Sequence, residues 1–319
     1  MKNHAIGRRS FLTAAATAAA VGALNGAVGH AQQAVPNTTG TGPAKVKAPA
    51  NAADCHMHIY DPRFPASGPA KRMADRATVA DYRLLQRRLG TTRAVVVTPA
   101  AYATDNRVTL DAIAQLGRQA RGIAVLRPEA SDRELDALSR GGIRGLRFTV
   151  FDPETAVTRP DMIEPLSRRA VDLGWHVQIH MRADQIVENA ALLRRLPSQI
   201  VFDHMSRLPQ PEGVRHKAFR IVCKLLDRGQ AWVKLSGAYL DSRMGSPWYA
   251  DAGEVARAYV EAAPERMLWG SDWPHPTETA KPDDAQLLDL LGEWTPDAAT
   301  LRKILVDNPA ELYGFSAAL

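Results

Sequence analysis

The chain has 319 residues and a formal net charge of +6. Lys2, Arg8, Arg9, Lys45 and Lys47 all precede the first acid, Asp54, so five of the six surplus positive charges lie ahead of it and the remainder carries only about +1. That remainder has no Lys/Arg block interleaved with aromatics, so a nucleic-acid binder's electrostatic footprint is absent. Two distant cysteines, Cys55 and Cys223, exclude a disulfide framework.

In chain order, the first signal is Arg8-Arg9-Ser10-Phe11-Leu12-Thr13, a twin-arginine export motif behind a basic start. The Ala/Gly-rich stretch after it is too short and too weakly apolar for a membrane span and ends in small residues. Residues 1–31 therefore read as a signal peptide cleaved after Ala31. This predicts passage through the twin-arginine export machinery, a periplasmic location and no membrane span in the mature protein. Residues 32–52, rich in Gln, Pro, Thr, Gly and Ala without apolar periodicity, read as a flexible linker.

From Ala53 on, short apolar runs alternate with helical patterns. The predicted strands are Ala53–His58, Ala94–Thr98, Gly122–Leu126, Arg144–Phe148, His176–His180, Ile200–His204, Trp232–Ser236 and Met267–Ser271. Their near-continuous apolar character fits strands covered on both faces. Predicted helices lie between them, among them Val79–Leu89, Asp161–Leu173 with Asp161 and Glu164 as a capping pair, and Asp184–Arg195. Eight such units predict an α/β fold, a single-domain (β/α)8 TIM barrel over 53–319. An open doubly wound sheet would carry a Gly-rich phosphate turn after its first strand, where this chain has His56-Met57-His58.

Side chains two apart on a strand share a face, so His56 and His58 aim the same way, about 7 Å apart. His180 ends the fifth predicted strand, His204 the sixth, and Asp272 follows the eighth in Gly270-Ser271-Asp272-Trp273-Pro274-His275-Pro276. In a barrel these ends open onto one mouth. Imidazoles with one carboxylate suit a divalent metal ion, zinc above all, with a position left for water. Asp272 could then accept a proton from that water, and His204 could polarise a substrate carbonyl. Arg144 and Arg147, three apart on the fourth strand, face opposite ways, so one of them points inward to clamp a substrate carboxylate. Arg147, nearer the C-terminal end, is preferred. Arg72, Tyr102, Tyr239 and Arg243 fall in predicted loops at the same mouth and complete the substrate-binding candidates.

The segments "DCHMHIYDPRFP", "GGIRGLRF", "GWHVQIHM", "FDHMSRLP", "KLSG", "WGSDWPHP" and "DNPAELYGF" resemble the amidohydrolase superfamily, specifically its amidohydrolase-related, 2-pyrone-4,6-dicarboxylate lactonase-like branch. The resemblance implies a hydrolase that opens a small anionic lactone, carboxylated, sulfonated or derived from a sugar acid. The pyrone lactonase pattern has a tyrosine on strand five and works without metal, whereas this chain has His180 there. By resemblance to the metal-binding members, His56, His58, His180 and Asp272 would hold one metal, with His204 left as the catalytic imidazole. Strand four lacks the bridging lysine or glutamate of two-metal members. The lactonase's substrate tyrosine after strand one falls near Arg72, and its arginine after strand seven near Leu240, with Arg243 close by. The alternatives are a metal-dependent decarboxylase of an aromatic acid and an exported binding protein without catalysis. The chain is compatible with a homo-oligomer.

Overall fold

Eight strands run parallel and in sequence order: β1 (Ala53–Met57), β2 (Arg93–Val97), β3 (Ala120–Ala124), β4 (Ile143–Thr149), β5 (His176–His180), β6 (Ile200–Phe202), β7 (Ala231–Leu235) and β8 (Met267–Trp269). The computed structural model describes residues 34–68 and 75–316. The expected signal peptide and the candidate Arg72 lie outside the described residues. Helices α1 (Val79–Leu89), α2 (Arg107–Leu116), α3 (Asp132–Arg140), α4 (Ile163–Asp172), α5 (Ala183–Glu188), α6 (Ala190–Arg195), α7 (Lys217–Asp227), α8 (Ala250–Ala262) and α9 (Asp284–Trp294) intervene, and α10 (Ala298–Arg302) and α11 (Asn308–Tyr313) close the chain. This is the (β/α)8 barrel that the alternation predicts. Among the described residues no helix is long and apolar enough to cross a membrane.

Strand alternation sorts the core into two layers. Val95, Val97, Ile123, Val201, Trp232 and Leu268 cluster inside with Tyr313 and Phe315 from the chain's end. Their neighbours Ala94, Val96, Leu146, Phe148, Val177, Ile179, Val233 and Leu235 pack outward with the helices. Arg93 and Arg121 pin the floor, donating to the carbonyls of Ser316 (2.6 Å) and Gly314 (2.8 Å).

The helices follow local chemistry where caps are strong. Thr78 and Asp81 form a capping box at the start of α1, and Gly90 ends it in the left-handed region. The expected capping pair at Asp161 is not found. Pro160–Met162 forms a 3₁₀ turn, α4 starts at Ile163, and Asp161 pairs with Arg159 at the surface. The helix expected over Asp184–Arg195 is broken at Asn189 into α5 and α6.

The linker expectation is corrected over 34–52. Val35 and Ala44 are buried, Trp273 Nε1 donates to Pro36 O (2.8 Å), and Thr39 N donates to Pro282 O (3.1 Å). Arg88 donates to the carbonyls of Thr39 (2.9 Å) and Gly42 (2.7 Å). This segment is a strap along the barrel, because its carbonyls satisfy a buried guanidinium.

Candidate functional site

The seam between β8 and β1 builds the centre of the mouth. Asp272 N donates to His56 O and His58 N to Trp273 O, both at 2.8 Å, which threads the chain after β8 alongside the end of β1. Ser271 and Tyr82 lock this seam by donating to the Asp54 carboxylate, which burial pushes up to about 6. Asp272 itself sits at φ 63°, a left-handed conformation that aspartate tolerates better than most residues.

Three imidazoles surround one carboxylate oxygen. Asp272 Oδ1 lies 3.4 Å from His58 Nε2, 3.6 Å from His56 Nε2 and 3.9 Å from His204 Nε2. Burial opposes the charge on Asp272, but in the acid range where it titrates a proton on the His204 imidazole, and one shared with His58, outweigh burial and hold the carboxyl well below its usual range. Burial likewise pushes His56 far down and His204 down to about 4, so these rings are neutral at physiological pH.

Proton placement then tests whether a metal fits. His58 Nδ1 lies 2.8 Å from Val97 O, a pure acceptor, so Nδ1 carries a proton and a neutral His58 turns a lone pair toward Asp272. Two acceptors face each other across 3.4 Å, which calls for a cation or a further proton between them. Among the described residues His56 Nε2 is buried without a hydrogen-bond partner, and its Nδ1 lies 3.2 Å from Asp203 Oδ1 and 3.3 Å from Lys234 Nζ. With Lys234 Nζ donating to Gln178 at 2.6 Å, a proton on Nδ1 facing Asp203 would leave Nε2 free to ligate, the usual support of a metal-bound histidine. His56, His204 and Asp272 have ligand atoms within 4.8 Å of one another. The donor set fits a divalent ion, with His58 beside it.

His180 is placed differently from its expected ligand role. Its Nε2 accepts from Arg207 Nη1 at 3.0 Å, and its ring stacks on Phe151 at 5.1 Å. A guanidinium only donates, so the His180 Nε2 lone pair is already engaged. Arg207 is itself forked onto Asp241 (2.7 and 3.1 Å) and lies over Phe151. Thus His204, rather than His180, joins the metal-capable group. A cavity of about 100 Å³ opens beside His180, lined by Thr98, Val125, Thr149, Phe151 and Thr158 among others.

Of the two arginines, Arg147 points inward and Arg144 does not. Arg147 Nε donates to Asp203 Oδ2 (3.1 Å), and among the described residues no acceptor pairs with its terminal nitrogens. Arg144 donates to the carbonyls of Ser139 and Ile143 at the strand's N-terminal end. Tyr239 lies on the site, its hydroxyl donating to Asp272 Oδ2 at 2.7 Å. Tyr102 is fully buried, with Asp61 N donating to its hydroxyl (3.2 Å), so it braces a loop. Arg243 is exposed, and only its backbone is tied, to Asp251.

Sequence reasoning missed the polar layer beneath the site. Lys234 is fully buried on β7, donates to Gln178 Oε1 at 2.6 Å and lies 3.8 Å from Asp203. Burial pushes it down to about 8. Asp203 also accepts from Gln178 (3.2 Å). The signal was available: a lysine inside the apolar strand Ala231–Leu235 needs a buried partner.

A family model described as amidohydrolase matches residues 53–315. The chain belongs to the amidohydrolase family. Among curated relatives of this amidohydrolase, a 2-pyrone-4,6-dicarboxylate hydrolase of Comamonas testosteroni is 36% identical over 84% of this chain and 91% of its own length. A 4-sulfomuconolactone hydrolase of Rhizobium radiobacter is 34% identical over 85% of this chain and 93% of its own. Among solved structures, an apo protein of Agrobacterium tumefaciens superposes with a TM-score of 0.82 at 29% identity, covering 88% of this chain and 99% of that one.

Proposed function

We propose that this amidohydrolase hydrolyses a small anionic lactone at a single-metal site, and that it does so in the periplasm after twin-arginine export. The observation that carries the chemistry is one carboxylate oxygen, Asp272 Oδ1, ringed by three imidazole nitrogens beside the inward Arg147. The two curated relatives, one named for a pyrone dicarboxylate and the other for a sulfomuconolactone, support the anionic lactone class.

His56, His204 and Asp272 would hold the metal, with His58 beside them, and when bound it would polarise the lactone carbonyl and lower the pKa of water. Asp272 takes the proton of the attacking water, for which its low pKa leaves it ionised. It returns that proton to the ring oxygen as the C–O bond breaks. The terminal nitrogens of Arg147 fork onto a substrate carboxylate and fix the ring's orientation. Asp203 keeps that guanidinium pointed inward, and Lys234 offsets part of the charge of Asp203.

Purified protein is titrated with zinc and assayed on carboxylated and sulfonated lactones by acid release. Asp272→Asn is expected to lower kcat by about 10²–10⁴-fold, the usual scale for a positioned proton acceptor. Full turnover after exhaustive chelation sinks the metal part. Release of CO₂ instead of a ring-opened acid sinks the hydrolytic part in favour of decarboxylation. Export is read by fractionation: a double Arg8→Lys, Arg9→Lys variant should stay in the cytoplasm.

A further inference from the structure

Behind Asp272 runs a line of polar groups that the hydrolytic reading leaves unused. The Tyr239 hydroxyl, from the loop after β7, lies 2.7 Å from Asp272 Oδ2 and 2.9 Å from His275 Nδ1. His275, from the turn after β8, sets its Nε2 3.1 Å from Asp284 Oδ2 in the first turn of α9. The rings of Tyr239 and His275 meet edge to face at 5.3 Å, and His275 and Asp284 are fully buried.

Donor counting fixes the direction of this line. An ionised Asp272 only accepts, and a phenol has one proton, so Tyr239 donates to Asp272. Its oxygen can then only accept from His275, which therefore carries a proton on Nδ1. Asp284 Oδ2, at the helix end where a carboxylate is favoured, accepts from a proton on Nε2 as well, so the anchored ring donates from both nitrogens.

A carboxylate's last torsion is broad and nearly two-fold, so Asp272 needs a partner to keep its two oxygens distinct. We propose that Tyr239, His275 and Asp284 are positioning residues that hold Asp272 Oδ2, so that Oδ1 alone faces His56, His58 and His204. The inference rests on the proposed hydrolysis only in its kinetic consequence. The hydroxyl aligns the proton acceptor, and the histidine acts solely through the hydroxyl.

Two measurements on the full chain test it. With ¹⁵N-histidine labelling, His275, assigned by its loss in His275→Asn, is expected to be protonated on Nδ1, and its signal should shift in Tyr239→Phe. A proton on Nε2 only would overturn the proposal. Kinetically, Tyr239→Phe is expected to lower kcat about 10–100-fold with KM little changed, the scale for groups that orient a site residue. His275→Asn, which keeps an N–H near the Nδ1 position, should lose less than His275→Phe. The double variant Tyr239→Phe/His275→Phe should be no worse than Tyr239→Phe alone, and additive losses would overturn the proposal. A wild-type protein that opens no lactone would sink the hydrolytic reading, and the proton on His275 Nδ1 would still decide this one.

Discussion

His176 sits on the same inward face as His180 but at the floor of the barrel, edge-on to Tyr313 at 5.4 Å, and among the described residues neither of its ring nitrogens has a hydrogen-bond partner. Burial first, then the charge of Lys234, pushes it from its ordinary 6.5 down to about 3. Above pH 6.5 the ring is neutral in both folded and unfolded chains, and its contribution to stability is complete. Below that the unfolded chain takes up a proton that the folded one refuses, so stability falls until the pH reaches about 3. The slope is about 1.4 kcal/mol per pH unit from this one group. His176→Phe is expected to make the acid limb of a urea-denaturation series shallower by about that amount, and an unchanged limb would refute the assignment. Residue parity made this legible, because 176, 178 and 180 alternate with apolar residues on one strand. Parity also paired His56 with His58 and set Arg144 and Arg147 on opposite faces, while nearness to the strand's C-terminal end favoured Arg147. It could not show that Arg207 occupies His180. Arg207 reaches that ring through four successive residues with positive φ, His204 to Arg207 at 47°, 51°, 62° and 50°. Met, Ser and Arg carry no local preference for that conformation.

At the level of elements, the site depends on how closely β8 approaches β1. A Cβ on Gly270 would lie 2.6 Å from His56 Cβ and 2.8 Å from His56 N, distances that real Cβ atoms do not adopt. The seam would have to open, and the backbone bonds that place Asp272 beside His56 and His58 would lengthen. Gly270→Ala is expected to cost about 1–3 kcal/mol, the range for overpacking. It should also lower kcat about 10²-fold, since a displacement near 1 Å suffices for that. Thermal unfolding alongside lactone turnover checks both, and an alanine variant matching wild type in each would show that the seam is not what positions Asp272. The eight strands themselves were readable because each is a short apolar run between helix stops. Their ends moved by up to two residues, as at β3, and the predicted strands through His204 and Ser271 stop at Phe202 and Trp269. The reason is physical: the residues after those strands leave the ladder to turn their side chains into the mouth, and apolar pattern does not register that departure.

Across the whole molecule, the strap of residues 34–52 ties the segment before β1 to α1 and to the last helices of the barrel, α9 above all. Its contacts join partners 39 to 246 residues apart and rely largely on its own backbone groups, so a composition of Pro, Thr, Gly and Ala gave no sign of them. Arg88 is the anchor: its guanidinium is nearly buried, donates to Thr39 O and Gly42 O, and pairs with Asp283 at 2.5 Å. Val46 N adds a bond to Asp289 Oδ1 at 2.9 Å. Cleavage after Ala31, as proposed, would leave the whole strap on the mature protein. A chain beginning at residue 49 would lose these bonds, each worth about 0.5–1.5 kcal/mol and more for those to a charged group. It would also leave Arg88 short of acceptors in a buried position. A loss of about 3 kcal/mol corresponds to a Tm lower by roughly 6–12 °C for a domain of this size. Turnover should fall as well, because Trp273 donates to Pro36 O and directly follows Asp272. The comparison is thermal unfolding and lactone hydrolysis of chains starting at residues 32 and 49. Equal Tm values would mean that the strap lies on the barrel without stabilising it.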